Sequence, residues 1–581
     1  MKKFIYIGIL LTSMAGFSQQ PVLSGKDLID SDKLSNLTST KDQGRITLEN
    51  VDGKEVMTLT TIEQPKFIYS LASALPINKE SATKGTVFLL SFDGKTTASS
   101  EETGEAKLLI QLRQTDSFKE NLDRTLNIGS TWKRYNIPFE ATENISKKDL
   151  GIVLQYGFQP QAVALKNIKF EIFEKGTQLA DLPKTAVTYK GMEPDAEWRQ
   201  KANQRIEHLR KSDYQVTITK DGKPVEDASI EASLVRHAFP FGATMHAEEI
   251  LNDPNQYDRF KKAFGLTVLG NDLKIKSWAR KSNRKRTLKA IDQLNADGIT
   301  VKGHVLMWPG FQYNTDEVEA NKDNPEKVKE IVRKHIWSVL AATEGKISHW
   351  DVVNEAYTNK DFQNIMGGEE FLYEAFKIVK NKAPQVKRFV NEYGIISKGG
   401  IDTQKQQWYY DYIKRVDENV PDAIQGVGIQ SHMGTDLTSP ERVVELLNYY
   451  ATLGKPISIS EFTMDEQDPA VREQYTRDFM IAAFSHPNVA EFMFWGFQED
   501  GRGKVDIYEK DGTIGEMGKA YFSLVDGDWK SSLSRKRTND QPIASRGFNG
   551  LYQYTVTVDG ETKTGYFEVK NQKMNDIKIE L

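Results

Sequence analysis

Between Phe239 and Trp495 the chain alternates short apolar runs with longer amphipathic stretches, eight times in succession. The runs are Phe239–Thr244, Leu266–Gly270, Thr300–Trp308, Ile347–Asn354, Arg388–Asn391, Ala423–Gln430, Ile457–Ser460 and Phe492–Trp495. Short apolar strands separated by helical patterns are the signature of repeated βα units and a parallel sheet. Eight such units predict an α/β chain closed as a (β/α)8 barrel, whose active site lies at the C-terminal ends of its strands. Several of those ends carry polar or aromatic residues: Asn271, His304, Glu355, Asn391, Gln430, Glu461 and Trp495.

A chain of 581 residues is too long for one ordinary core, and its flanks read differently from the barrel. Residues 1–18 combine Lys2 and Lys3, an apolar Phe4–Met14 and a small-x-small Gly16-Phe17-Ser18. That pattern predicts a secretory signal peptide rather than a membrane span, because the apolar stretch is too short to cross. Export to the periplasm or beyond is therefore expected. The chain has no cysteine, which excludes disulfides, thiol nucleophiles and lipid anchoring through that residue. Residues 19–185 read as short alternating strands, predicting an antiparallel β-sandwich. Gly176 to Pro194 reads as a linker, and a helix and a strand (Asp195–Arg210, Tyr214–Thr219) as an extension of a 186–530 barrel domain. Residues 531–581 return to short strands and read as a small β-module of their own.

Two carboxylates carry the candidate chemistry. Glu355 follows the fourth run, in Trp350-Asp351-Val352-Val353-Asn354-Glu355-Ala356, and Glu461 follows the seventh, Ile457-Ser458-Ile459-Ser460. About three βα units separate them, which sets them across the mouth of a barrel. Retaining glycoside hydrolysis needs such a pair, one acid to protonate the leaving oxygen and one nucleophile, ~5–5.5 Å apart.

The motifs around these residues resemble glycoside hydrolase family 10, the endo-β-1,4-xylanases. The resemblance spans roughly 237–530 and rests on WDVVNEA (350–356), ISEF (459–462), Gly303-His304-Val305-Leu306-Met307-Trp308, Asn391-Glu392-Tyr393, Gln430-Ser431-His432 and Phe494-Trp495-Gly496. It implies Glu355 as acid/base and Glu461 as nucleophile, with Asn354 on the 2-hydroxyl of the sugar at the cleavage point. It places Gln430 and His432 beside Glu461, and Asn271, Lys274 and His304 on hydroxyls of the non-reducing side. Trp308 and Trp495 become apolar walls, and Tyr393 a stacking ring on the leaving side. The N-terminal sandwich resembles, through Trp132-Lys133-Arg134-Tyr135 and Ala164–Phe173, the carbohydrate-binding jelly rolls that precede such barrels.

Three positions and one loop depart from the family. Gly270 stands where a Glu is usual, Pro309 where a His is usual, and Thr463 where an Asp usually pairs with the strand-six histidine. The loop Gly496–Arg502 lacks a second Trp and carries Glu499, Asp500 and Arg502. A more open, polar cleft follows, suited to a decorated or mixed-linkage xylan. A β-glucanase of the same clan and a catalytically weak polysaccharide-binding protein are the competing readings. The partner is thus a β-glycan. A net charge of −4 argues against nucleic acid, and neither cofactor nor metal is implied, since the histidines lack ligand spacing and no strand leads into a glycine-rich phosphate loop.

Overall fold

The computed structural model describes residues 24–101, 103–114, 120–466, 468–499, 507–537 and 541–581. The expected signal peptide, 1–18, and Asp500 and Arg502 lie outside these. Eight parallel strands form the centre: β1 (Phe241–Thr244), β2 (Leu266–Val268), β3 (Thr300–Met307), β4 (His349–Asn354), β5 (Lys387–Glu392), β6 (Gly426–Ile429), β7 (Ile457–Met464) and β8 (Val489–Phe494). Each pairs with the next, and β8 pairs back with β1, so the sheet closes into the expected (β/α)8 barrel. β4 and β6 are buried at every residue; β6 reads as an apolar run, whereas β4 carries His349, Asp351 and Asn354, each hydrogen-bonded inside the barrel. The intervening helices start sharply. Asn324, Ser439 and Asp468 each cap the amides of a first turn while Pro325, Pro440 and Pro469 open the helix. No helix among the described residues is long and apolar enough to cross a membrane.

The N-terminal region folds as two antiparallel sheets. One contains Ser39–Lys41, Gly44–Val51, Lys54–Thr61, Gln161–Ile172, Val87–Ser99 and Lys133–Glu140, with Lys26–Asp27 added on Gln161–Ile172. The other contains Ala72–Ala74, Leu150–Gln155, Ala106–Gln114 and Glu120–Ile128. The Phe88, Phe139 and Phe170 rings stack between them with centroids 5.3–5.9 Å apart. Trp132 is 40% exposed with Lys166 Nζ 4.0 Å above its ring, so it is a surface residue and not part of that core.

The boundaries around the barrel differ from those read in the sequence. Residues 531–581 are not a module of their own, and the strand after the helix is not a barrel extension. Lys211–Lys220 pairs with Ile543–Phe548 and with Met574–Glu580, and Ala228–His237 pairs with Ser532–Arg537 and Gly550–Val558. The two segments build one sandwich of two four-stranded sheets, into which the barrel is inserted. Along both early strands buried residues alternate with partly or fully exposed ones, so the strands need a partner sheet that about 50 residues cannot supply alone. Nor is 176–194 a free tether: Tyr189 donates to Asp478 at 2.8 Å on the barrel's seventh helix, Pro469–Phe484.

Candidate active site

At the C-terminal ends of the strands lies a cleft of about 590 Å³ lined on one side by Asn271, Lys274, His304, Trp308 and Trp495, with Glu355 and Glu461 at its floor. Glu355 follows β4 directly. Its backbone turns into the left-handed region (φ 55°) while its amide donates to Asn391 O at 2.9 Å, which aims the side chain inward from the strand end. Glu461 lies within β7 and is 3% exposed; Glu355 is 5% exposed.

A chain of side-chain amides joins the carboxylates. Asn391 Nδ2 donates to Glu461 Oε1 at 2.6 Å and to Asn354 Oδ1 at 3.0 Å. Gln430 Nε2 donates to Asn354 Oδ1 at 3.2 Å and to Glu355 Oε1 at 3.0 Å. Asn354 Nδ2 donates to the same Glu355 oxygen at 3.0 Å, and Asn359 Nδ2 to Oε2 at 3.3 Å. The Gln430 side chain therefore faces Glu355, not Glu461 as the sequence reading has it; only its backbone carbonyl serves Glu461, accepting the Glu461 amide at 3.1 Å. Asn354 is 1% exposed, enclosed among Glu355, Asn391 and Gln430 instead of lining the cleft.

Glu461 has a different surrounding. His432 Nε2 lies 3.4 Å from Oε2 and His304 Nδ1 3.9 Å from Oε1. Burial works against its ionisation, but the close contact with His432 and the charges of His304, His432 and Lys274 outweigh it, so its pKa is lowered below the usual 4.5. His304 is in turn held by Asp351 Oδ2 at 3.0 Å, and Asp351 pairs with the fully buried Lys302 at 3.2 Å. Burial again opposes the Asp351 charge, and Lys302 and His304 hold its pKa down. His304 is therefore both a wall of the cleft and one end of an ionic ladder inside the barrel. The other face of His432 meets Thr463, Nδ1 to Oγ1 at 3.0 Å, where an acidic partner would have stood.

The aromatic wall is layered. Trp308 stacks on Tyr313 with centroids 3.5 Å apart and planes 6° from parallel. Trp495 meets the His304 ring edge-on at 5.2 Å, and Lys274 Nζ lies 4.4 Å from the Trp308 ring. Asn271 is exposed at the cleft, just past Gly270, whose φ is 48° and where any Cβ would run into the His246 ring. Tyr393 sits apart from this wall on the β5 side, its hydroxyl on Thr358 at 3.2 Å and Lys405 Nζ 3.3 Å above its ring. Sequence reasoning assigned no site role to Asn391, Asn359 or Tyr313. Asn391 had a signal, its place at a strand end; Tyr313 and Asn359 belong to loops and had none. No group of acidic and histidine side chains able to hold a metal ion occurs among the described residues.

Residues 229–503 match the family profile described as Glycosyl hydrolase family 10. Over 381 residues the chain is 28% identical to Anti-sigma-I factor RsgI6 of Acetivibrio thermocellus, covering 64% of this chain and 48% of that protein. Over 326 residues it is 27% identical to Endo-1,4-beta-xylanase 3 of Arabidopsis thaliana, covering 55% and 42%. The chain thus spans less than half the length of these relatives. The solved structure of native xylanase 10B from Thermotoga maritima aligns with a TM-score of 0.44 at 18% identity, covering 50% of this chain and 95% of that one.

Proposed function

From the premise that the barrel of this chain is a glycoside hydrolase family 10 domain, we propose that the protein is an endo-acting β-1,4-xylanase working by retention. Glu461 attacks the anomeric carbon as the bond to the leaving oxygen breaks, and that oxygen takes the proton of Glu355. Glu355, now a carboxylate, then removes a proton from water, which attacks the same carbon and frees Glu461. The observation that carries this reading is the division of labour around the two carboxylates. Glu461 is kept anionic by His432, His304 and Asn391, as a nucleophile must be. Glu355 takes carboxamide N–H donors from Asn354, Gln430 and Asn359, none of them a cation, and they hold its carboxyl group at the strand end facing the cleft. Trp308 and Trp495 offer apolar faces for sugar rings, and Lys274 and Asn271 offer donors for hydroxyls.

The cleft continues past Lys274 to Lys276 and Arg280. These cations, with the missing second Trp of the last loop, support a decorated xylan as substrate. The Lys-rich, apolar N-terminus supports export.

The test is product analysis on plain xylan, decorated xylan and β-glucan, with wild type and Glu461→Ala. Xylo-oligosaccharides from wild type and none from the variant are expected, with decorated xylan cut faster than plain. Product from β-glucan alone would move the substrate class, and no product from any polymer would leave a binding protein.

A further inference from the structure

The N-terminal sandwich grips the barrel at the mouth, on the two loops that follow β6 and β7. Glu105, at the start of Ala106–Gln114, is 1% exposed, and the donors to its carboxylate all come from one barrel loop. Thr435 N donates at 2.7 Å, Thr435 Oγ1 at 3.0 Å and Asp436 N at 2.5 Å. Gly434 leaves the space this needs, since a Cβ there would meet the Glu105 carboxylate. The contact is reciprocated: Asp436 accepts from Ser130 N at 2.8 Å and pairs with Lys133 at 2.5 Å. On the second loop Asn127 Nδ2 donates to Asp465 O at 2.9 Å, and Lys107 pairs with Asp465 at 3.0 Å. Burying a carboxylate at a seam between domains costs free energy unless its donors are well placed. Here those donors belong to a segment with its own task.

Two residues before Gly434 stands His432, 3.4 Å from Glu461. His432–Met433 pairs with Thr463–Met464, just beyond Glu461, and Ser431 before it turns in the left-handed region (φ 65°). Nothing but this short bridge separates the gripped loop from the nucleophile's histidine. We propose that the sandwich is a fixed splint of the catalytic mouth, in which Glu105 is a positioning residue that sets the His432 loop against Glu461. The sandwich then acts on the chemistry itself, and not only by bringing polymer near. This rests on the reading of Glu461 as nucleophile.

The experiment uses the full chain with Glu105→Ala, Glu105→Gln and Gly434→Ala, each checked for native circular dichroism. Glu105→Ala is expected to lower kcat ~10–100-fold with little change in KM, because a small misplacement of a catalytic contact is costly. The acid limb of kcat/KM should move to higher pH, since the His432 contact at 3.4 Å that helps lower the Glu461 pKa is loosened. Glu105→Gln keeps an acceptor oxygen and should recover most of the rate, while Gly434→Ala should reproduce the defect from the barrel side. Wild-type kcat and acid limb in a folded Glu105→Ala, or a loss confined to KM, would overturn the proposal. If Glu105→Ala does not fold, the other two variants decide it by the same readouts. Should wild type cleave no xylan, the functional reading fails, and hydrogen exchange of the Thr435 and Asp436 amides decides the splint separately. Faster exchange in Glu105→Ala, or in Gly434→Ala where Glu105→Ala does not fold, supports it, and exchange equal to wild type rejects it.

Discussion

Asn391 is fully buried, yet it touches both halves of the proposed catalytic pair, bonding Glu461 directly and Glu355 through Asn354. A hydrogen bond to a charged group contributes ~1.5–3 kcal/mol, which is about one to two powers of ten in rate. Asn391→Ala is therefore expected to lower kcat ~10–100-fold. KM should hold, because the side chain is sealed from the cleft. Steady-state kinetics on xylo-oligosaccharides checks this, and a rise in KM at constant kcat would contradict it. At this scale the two glutamates were readable because each directly follows an apolar run that ends at the mouth. The partnerships were not. Asn391 and Glu461 are 70 positions apart, and whether Gln430 turns to Glu355 or Glu461 depends on the stagger of neighbouring strands, which residue types do not encode.

At the scale of strands and helices, all eight barrel strands overlap the runs that predict them. Burial on both faces keeps that signal rich in apolar residues even where, as at Lys302, His304 and Asp351, polar groups pair inside the barrel. The flanking sandwich was half legible. The alternation in Lys211–Lys220 and Ala228–His237 is plain, but their partners lie in the last fifty or so residues, and backbone hydrogen bonds carry no side-chain signature. A consequence can be tested by ending the chain at Lys530. Ala228–His237 would lose both neighbours, and Lys211–Lys220 would lose Ile543–Phe548 and Met574–Glu580. Val216, Ile218 and Ile230, all fully buried in the complete chain, would be uncovered beside unpaired strand edges. The shortened chain is expected to aggregate, read as loss of soluble yield and of the monodisperse peak in size-exclusion chromatography. A soluble, active barrel ending at Lys530 would show the sandwich to be dispensable.

For the molecule as a whole, buried ionisable groups set the pH range of stability. Burial lowers the His335 pKa from 6.5 to about 3, and burial together with Arg205 and Arg210 lowers that of His486 to about 4. His486 is locked neutral, its Nδ1 accepting from Asn488 N at 3.2 Å and its Nε2 meeting Asn448 Oδ1 at 3.0 Å. Between these values and 6.5 the unfolded chain binds protons that the folded chain refuses, so stability falls as pH falls. Glu461 and Asp351, both lowered, add to the loss as they are protonated in stronger acid. Glu105 runs the other way. Burial, and then the Asp436 charge, raise it to about 7, so its share declines as pH rises from 4.5 to 7. Unfolding midpoints in urea should peak near pH 6.5, fall steeply below and only shallowly above. A midpoint flat or rising from pH 6.5 to 4 would contradict this. The seam that holds Glu105 was invisible in the sequence, since an acidic residue before a strand reads as a solvated charge until another domain covers it.

The insertion of the barrel into a sandwich also has a timetable. Asp213 and its partner Arg546 are 333 positions apart, so a ribosome adding 5–20 residues per second separates them by ~20–70 s. Throughout that interval the opening strands of the sandwich have left the tunnel with their hydrogen-bonding edges and apolar faces bare. The barrel can close in the meantime, and it then brings the two halves of the sandwich together at its base. Whatever shields a nascent chain in the cell must therefore guard residues 211–237 until the last strand has been made.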